Sequence, residues 1–325
     1  MAREGVQYLV AAVALILLIM MPVYSERRSY LAQNSADMRE NQRAMAAENP
    51  ELSNLFENLK QLPPGRVYAG LTGNWGVEYA IGAVPVLKLL HAEKTDMMGD
   101  IYHAFSLNSD VQNLFEENRW ELYNLYNVRY VVAPEGRTFP SFVRPLQQFG
   151  RHRLYQVETT GYFDLVGSGL EFAGGRTDFY PAATAWLASE LPRTKQHPTM
   201  LLGRPAIKDE RSFTGKVESS AGPSRGTVLS EGIGSNFFTA NVTVERDSLL
   251  MLKATYHPNW RATVGGINTD TVMLMPSFVG VQLPPGDHEV RIEYRPRRLR
   301  AILIGLGLLA LLLIAIGEKR STALS

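Results

Sequence analysis

Two uncharged apolar runs bracket the chain, and nearly everything polar lies between them. Val6–Tyr24 reads VQYLVAAVALILLIMMPVY, and 301–316 reads AILIGLGLLALLLIAI. About 20 apolar residues cross the hydrocarbon core of a bilayer as a helix. The pattern predicts a transmembrane helix over 6–24, a second over 299–317, and a large water-facing body tied to the lipid bilayer at both ends. The second run is the shorter. With Gly317 it makes about 25 Å of helix against a core of about 30 Å, and Arg300 and Lys319 can snorkel to close the gap. A core helix is the alternative for the second run. A cleaved leader is the alternative for the first, with Val23 and Ser25 at the positions a signal peptidase reads.

Charge alone leaves the side of the membrane open. Arg27 and Arg28 flank the first run, and Arg295, Arg297, Arg298 and Arg300 flank the second, all on the body side. The positive-inside rule would draw those flanks to the cytoplasm, but it weakens for connections longer than about 60 residues. The connection here is far longer.

The 325 residues carry a formal net charge of +1, which offers nucleic acid no electrostatic footprint. Cysteine is absent, so disulfides, thiolate catalysis and Cys-bound zinc are excluded.

The body changes character along its length. Residues 26–62 read as a helical connector. Asn49-Pro50-Glu51 forms a helix start, and Leu52, Leu55, Phe56 and Leu59 form one buried stripe. Residues 63–165 alternate helices and strands, a mixed α/β domain, with a long helix expected from Ser109 or Asp110 to about Tyr126, stopped by Asn127. Residues 166–211 read as a linker region, with a short helix over 181–191. From 212 to 295 the period becomes two. Phe238, Ala240, Val242 and Val244 alternate with polar partners, as do Leu250, Leu252, Ala254 and Tyr256. Gly265-Gly266 supplies a hairpin turn. This is the pattern of an antiparallel β-sandwich. The fold expected is thus α+β and membrane-anchored.

Chemistry is sparse in this sequence. No two of the six histidines stand at i, i+4, so no metal site is expected. No G-x-S-x-G elbow and no phosphate loop is present, and no cofactor is called for. No catalytic residue can be named. The candidate contact residues are Tyr256, His257, Trp260 and Arg261, which crowd one turn between strands. Aromatic faces match the C–H faces of a sugar ring, and Arg and His donors match its hydroxyls. The competing reading makes Trp260 a core anchor and leaves Arg261 merely exposed.

Three stretches carry a family resemblance. LYNVRYVV at 125–132 resembles the L-x-N-V-[KR]-Y stretch of the YfhO-type bacterial membrane proteins. YHPNWRATVGG at 256–266 resembles their Y-x-P-G-W-x-A-x-V-D-G stretch. PPGDHEV at 284–290, followed by Tyr294-Arg295-Pro296 before an apolar run, resembles their P-x-G-x-H-x-V … Y-x-P ending. Gly265 stands where the family usually has Asp. The resemblance implies a body on the outer side of the bacterial cytoplasmic membrane and a likeness to GT-C glycosyltransferases, which use lipid-linked sugars to build envelope glycans. It implies that the catalytic carboxylate lies in an early external loop without counterpart here, so the chain resembles the C-terminal third of such a protein. The expectation is a non-catalytic module whose partners are glycan or lipid-linked sugar and the membrane helices of a glycosyltransferase. The alternative is a two-helix membrane assembly protein that binds partner membrane proteins, with Gly305 and Gly307 permitting close helix approach.

Overall fold

The computed structural model describes residues 2–99, 106–167, 169–203, 213–215, 224–296 and 299–322. They form two compact units, one of 1–103 with 128–159 and the other of 104–127 with 160–325.

The first unit begins with a single helix, Ala2–Gln61, that runs through both Pro22 and Pro50. The apolar run and the helical connector are therefore one continuous element. Val10–Gln61 is long and apolar enough to cross a membrane. Its apolar side chains, Leu15 to Tyr24 among them, face outward and pack on nothing in the protein, as lipid-facing side chains do. Further on, Leu52 and Leu55 are buried. With Phe56 and Leu59 they form the predicted stripe and pack against a small sheet. That sheet has the order Arg66–Tyr68, Val128–Pro134, His152–Gln156, Arg144–Phe149. The first pair is parallel and the other two antiparallel. Val67, Tyr130, Val132 and Leu154 close the core beneath the helix.

The second unit holds two larger sheets. One has seven strands in the order Thr214–Gly215, Leu170–Gly174, Thr199–Leu202, Val272–Leu274, Phe278–Leu283, Ser248–Thr255, Phe163–Val166. The other has five, in the order Gly226–Ile233, Phe237–Val244, Gly286–Tyr294, Trp260–Val264, Ile267–Thr269. They share one apolar core. Leu250, Leu252, Val279 and Val281 come from the first sheet, and Ala240, Val242, Val290 and Ile292 from the second. Ala240, Val242, Leu250 and Leu252 are among the alternating residues of the sequence pattern. Gly265 and Gly266 take φ of 56° and 81° and turn the hairpin that pairs Val264 with Ile267, as a two-residue loop requires.

Two expectations change. The long helix over 110–126 is two short ones, Leu107–Gln112 and Trp120–Leu125. The first is capped earlier, with the Ser106 hydroxyl accepting from the Ser109 amide at 3.2 Å. Between them the backbone turns back three residues at a time, the amides of Leu114 and Phe115 donating to the carbonyls of Val111 and Gln112. That break swings Phe115 onto Tyr123, ring centroids 4.9 Å apart. Asn127 does stop the second helix, at φ 51°. The other change concerns residues 166–211, expected as a linker region. They contribute two strands to the seven-stranded sheet and the helix Arg176–Ala188. Among these residues Phe172, Phe179, Trp186 and Leu187 are buried, so the segment is core despite its glycines and prolines.

The last helix, Leu299–Thr322, contains a shorter apolar stretch, Ile302–Ile314, whose side chains are also exposed.

Candidate functional site

The turn singled out in the sequence is only partly available to a ligand. Trp260 is buried in the shared core, its indole against Phe238 and edge-on to Tyr294 at 5.4 Å. Its N–H donates to the Thr255 carbonyl at 3.0 Å. Arg261 is exposed but folds back, its Nη1 donating to the carbonyls of Pro258 and Trp260 at 2.7 and 2.9 Å. His257 is exposed and accepts from the Asn259 amide at Nδ1, and its ring lies 5.5 Å from that of Tyr294. Tyr256 is half-buried on the edge of the core. The turn brings the four residues together, but the indole face and N–H of Trp260 are committed to the fold.

A denser constellation lies at the other edge of the same unit. Lys253 sits in the strand Ser248–Thr255, whose first six residues are all buried. An ammonium with no exposure needs an opposite charge at hydrogen-bond distance. Asp164, on the neighbouring strand Phe163–Val166, provides it: Lys253 Nζ is 2.9 Å from Asp164 Oδ2. Lys195 reaches the other oxygen at 2.6 Å, with its side chain 40% exposed. Thr160 completes the group. Its Oγ1 accepts from Lys253 Nζ at 2.9 Å and lies 3.0 Å from Asp164 Oδ2 and 2.8 Å from Asn124 Oδ1.

Burial alone would raise the Asp164 carboxyl. Attraction to Lys253 and Lys195, with their hydrogen bonds, overrides it and holds the group down at about 2. Burial lowers the Lys253 ammonium, and Asp164 opposes that shift. A carboxylate held so low is a poor proton carrier near neutral pH. Asp164 is better suited to ordering cations than to acid–base work. Below it, His197 is fully buried, and its Nδ1–H donates to the Met275 carbonyl at 2.7 Å. Burial pushes this imidazole down to about 4, so it is neutral at physiological pH.

Above the pair opens a cleft of about 600 Å³, within the range of small-molecule sites. Thr160, Asp164, Lys195, Gln196, Arg225 and Arg246 are among the residues that line it. A second backbone device supports this wall. Glu231 accepts from the amides of Tyr162 and Phe163 at 3.0 and 2.8 Å, one on each oxygen. Gly161, at φ 93°, has no Cβ to strike that carboxylate.

The sequence reading missed this cluster. Its members are spread from Asn124 to Lys253. The one local signal was Lys253 directly after the apolar run Leu249-Leu250-Met251-Leu252, which predicts a buried counter-charge without naming it. Among the described residues, no three His, Asp or Glu side chains converge on a possible metal position.

A helix long and apolar enough to cross a membrane, joined to a body built largely of β-sheet, is the architecture of a membrane-associated protein. Residues 227–304 match the family described as Bacterial membrane protein YfhO, so this segment is a YfhO-family segment. It runs from the strand Gly226–Ile233 through all of the five-stranded sheet and into the last helix. No curated protein and no solved structure matches the chain.

Proposed function

We propose that the chain is a non-catalytic, extracytoplasmic module of a GT-C-like membrane glycosyltransferase, acting in the synthesis or modification of cell-envelope glycan. In this reading the two sheets of the second unit form a β-sandwich, both apolar helices span the bilayer, and the cleft over Asp164 contacts glycan. The observation that carries it is the YfhO-family segment, which joins the five-stranded sheet directly to the terminal apolar helix. One feature supports the non-catalytic part: Asp164, the carboxylate at the cleft, is fully engaged by two lysines.

The placement is directly testable because the chain has no cysteine. Ile267 is 74% exposed on the hairpin of the YfhO-family segment. An Ile267→Cys variant should react with a membrane-impermeant maleimide on intact cells. Labelling only after lysis would refute the extracytoplasmic placement. Deletion of the gene should alter the sugar composition of the envelope, and an unchanged composition would refute the role in glycan synthesis.

A further inference from the structure

A buried titratable cluster lies in the first unit, where the long helix meets the small sheet. The helix is tied to the unit at Asn41, whose Oδ1 accepts from the Ala83 amide at 2.7 Å. Two turns further along the same face, Glu48 reaches the turn that opens the strand His152–Gln156. Its Oε2 accepts from Arg151 Nε at 2.8 Å and lies 2.9 Å from His152 Nε2. Arg151 is held in turn by the Ala80 carbonyl, 2.6 Å from its Nη2. Beyond Glu48 the helix packs on the sheet through apolar side chains, Leu52 and Leu55.

His152 is 1% exposed, so both ring nitrogens depend on their neighbours. The Tyr79 hydroxyl is 2.5 Å from Nδ1. Burial pushes that hydroxyl up and keeps it protonated, which makes it the donor and Nδ1 the acceptor. The proton of the neutral ring is then on Nε2, facing Glu48. Nε2 is at ion-pair distance from the carboxylate but is not aligned for a hydrogen bond. The cluster thus suits a neutral imidazole. A second proton, at Nδ1, would meet the Tyr79 O–H, which would have to turn and lose its buried acceptor.

The charges around the ring are Glu48 and Glu51 from the helix and Arg151 from the turn. Burial and Arg151 lower the imidazole from its ordinary 6.5, and the two glutamates oppose that shift without reversing it. Stability tied to this group is therefore full above about pH 6.5 and is lost as pH falls below it.

We propose that His152 is an acid-release latch: neutral, it bridges Tyr79 of the unit and Glu48 of the long helix, and on protonation it loosens helix residues 41–61 from the sheet. The same helix carries the apolar run long enough to cross a membrane, so acid would uncouple this unit from its anchor. The latch goes beyond the proposed function and works on whichever side of the membrane the body lies.

The test is amide hydrogen exchange of the full chain in nanodiscs from about pH 7.5 to about pH 5, corrected for the intrinsic pH dependence of exchange. Protection of helix peptides over 41–61 should fall at least about five-fold across that range. His152→Gln takes up no proton and should flatten the decline, whatever its protection at neutral pH. Arg151→Gln removes the cation that resists protonation and should shrink the decline, which gives a second reading if His152→Gln does not fold. The slope is what is read, so a variant that merely weakens packing does not imitate the result. Protection that does not change with pH, or a decline that persists undiminished in these variants, would overturn the proposal.

Discussion

Replacing Lys253 with methionine removes the buried cation and leaves Asp164 with Lys195 as its one ammonium partner among the described residues. Two unit charges 2.9 Å apart attract by about 6 kcal/mol at an effective dielectric of about 20. The ammonium's own desolvation, several kcal/mol, is recovered on substitution and must be subtracted. Removing one member of a buried pair costs about 3–5 kcal/mol in general. Lys195 stays 2.6 Å from the carboxylate but is 40% exposed and therefore screened. The lower end, about 3 kcal/mol, is expected. The assay is amide hydrogen exchange read by mass spectrometry on the paired strands Phe163–Val166 and Ser248–Thr255. If global opening limits exchange, 3 kcal/mol is a loss of protection of about 150-fold. Asp164→Asn in the same chain should restore at least about 2 kcal/mol, because no charge is then stranded. A Lys253→Met loss under ten-fold, or a double variant whose cost equals the sum of the two singles, would refute the account of this cluster.

Two further outcomes follow from the same unit. His197 has its folded value lowered to about 4 from an ordinary 6.5. Between those values the unfolded chain takes up a proton that the folded one refuses, so stability is full above about pH 6.5 and falls as pH drops toward 4, by roughly 3 kcal/mol in all. Asp164, held at about 2, adds its own loss only below about pH 4. Melting curves from pH 7.5 to 4 should show the decline, and His197→Gln should flatten it; an unchanged slope would reject the assignment. Gly161→Ala places a Cβ 2.5 Å from both Glu231 oxygens at a φ of 93°. It should cost about 2 kcal/mol or more through strain and the lost carboxylate–amide contacts, read as a lowered melting temperature, and a neutral result would show that Glu231 does not clamp this turn.

Local pattern made several parts of this fold legible. The stripe Leu52, Leu55, Phe56 and Leu59 shows one helical face, and that face is buried or half-buried on the small sheet. The alternation from Phe238 to Val244 names the inward residues of a strand, and Ala240, Val242 and Val244 are core. Gly265-Gly266 marks its hairpin because only positive φ closes a two-residue loop. Residues 166–211 were not legible. Their strands are short, and Thr199–Leu202 pairs in parallel with Leu170–Gly174 across an intervening helix. No periodicity within either strand encodes that pairing. The break between Leu107–Gln112 and Trp120–Leu125 was hidden for a similar reason. Every residue there tolerates a helix, and the packing of Phe115 on Tyr123 selects the turn.

The candidate site divides in the same way. Sequence alone determined that the chain is membrane-associated, that its C-terminal body is built from alternating strands, and that no cysteine chemistry is available. These are properties of composition and short-range period, which act within a few residues. It could also gather Tyr256, His257, Trp260 and Arg261, which are neighbours in the chain. It also offered Trp260 as a core anchor, and the indole is indeed spent on the core. Tertiary structure alone decided that Asn124, Thr160, Asp164, Lys195 and Lys253 meet, and that Gln196 and Arg225 share one wall over Gly167. Electrostatic pairing depends on distance in space, and these residues are brought within 2.6–3.5 Å of one another by the tertiary fold rather than by any spacing along the chain.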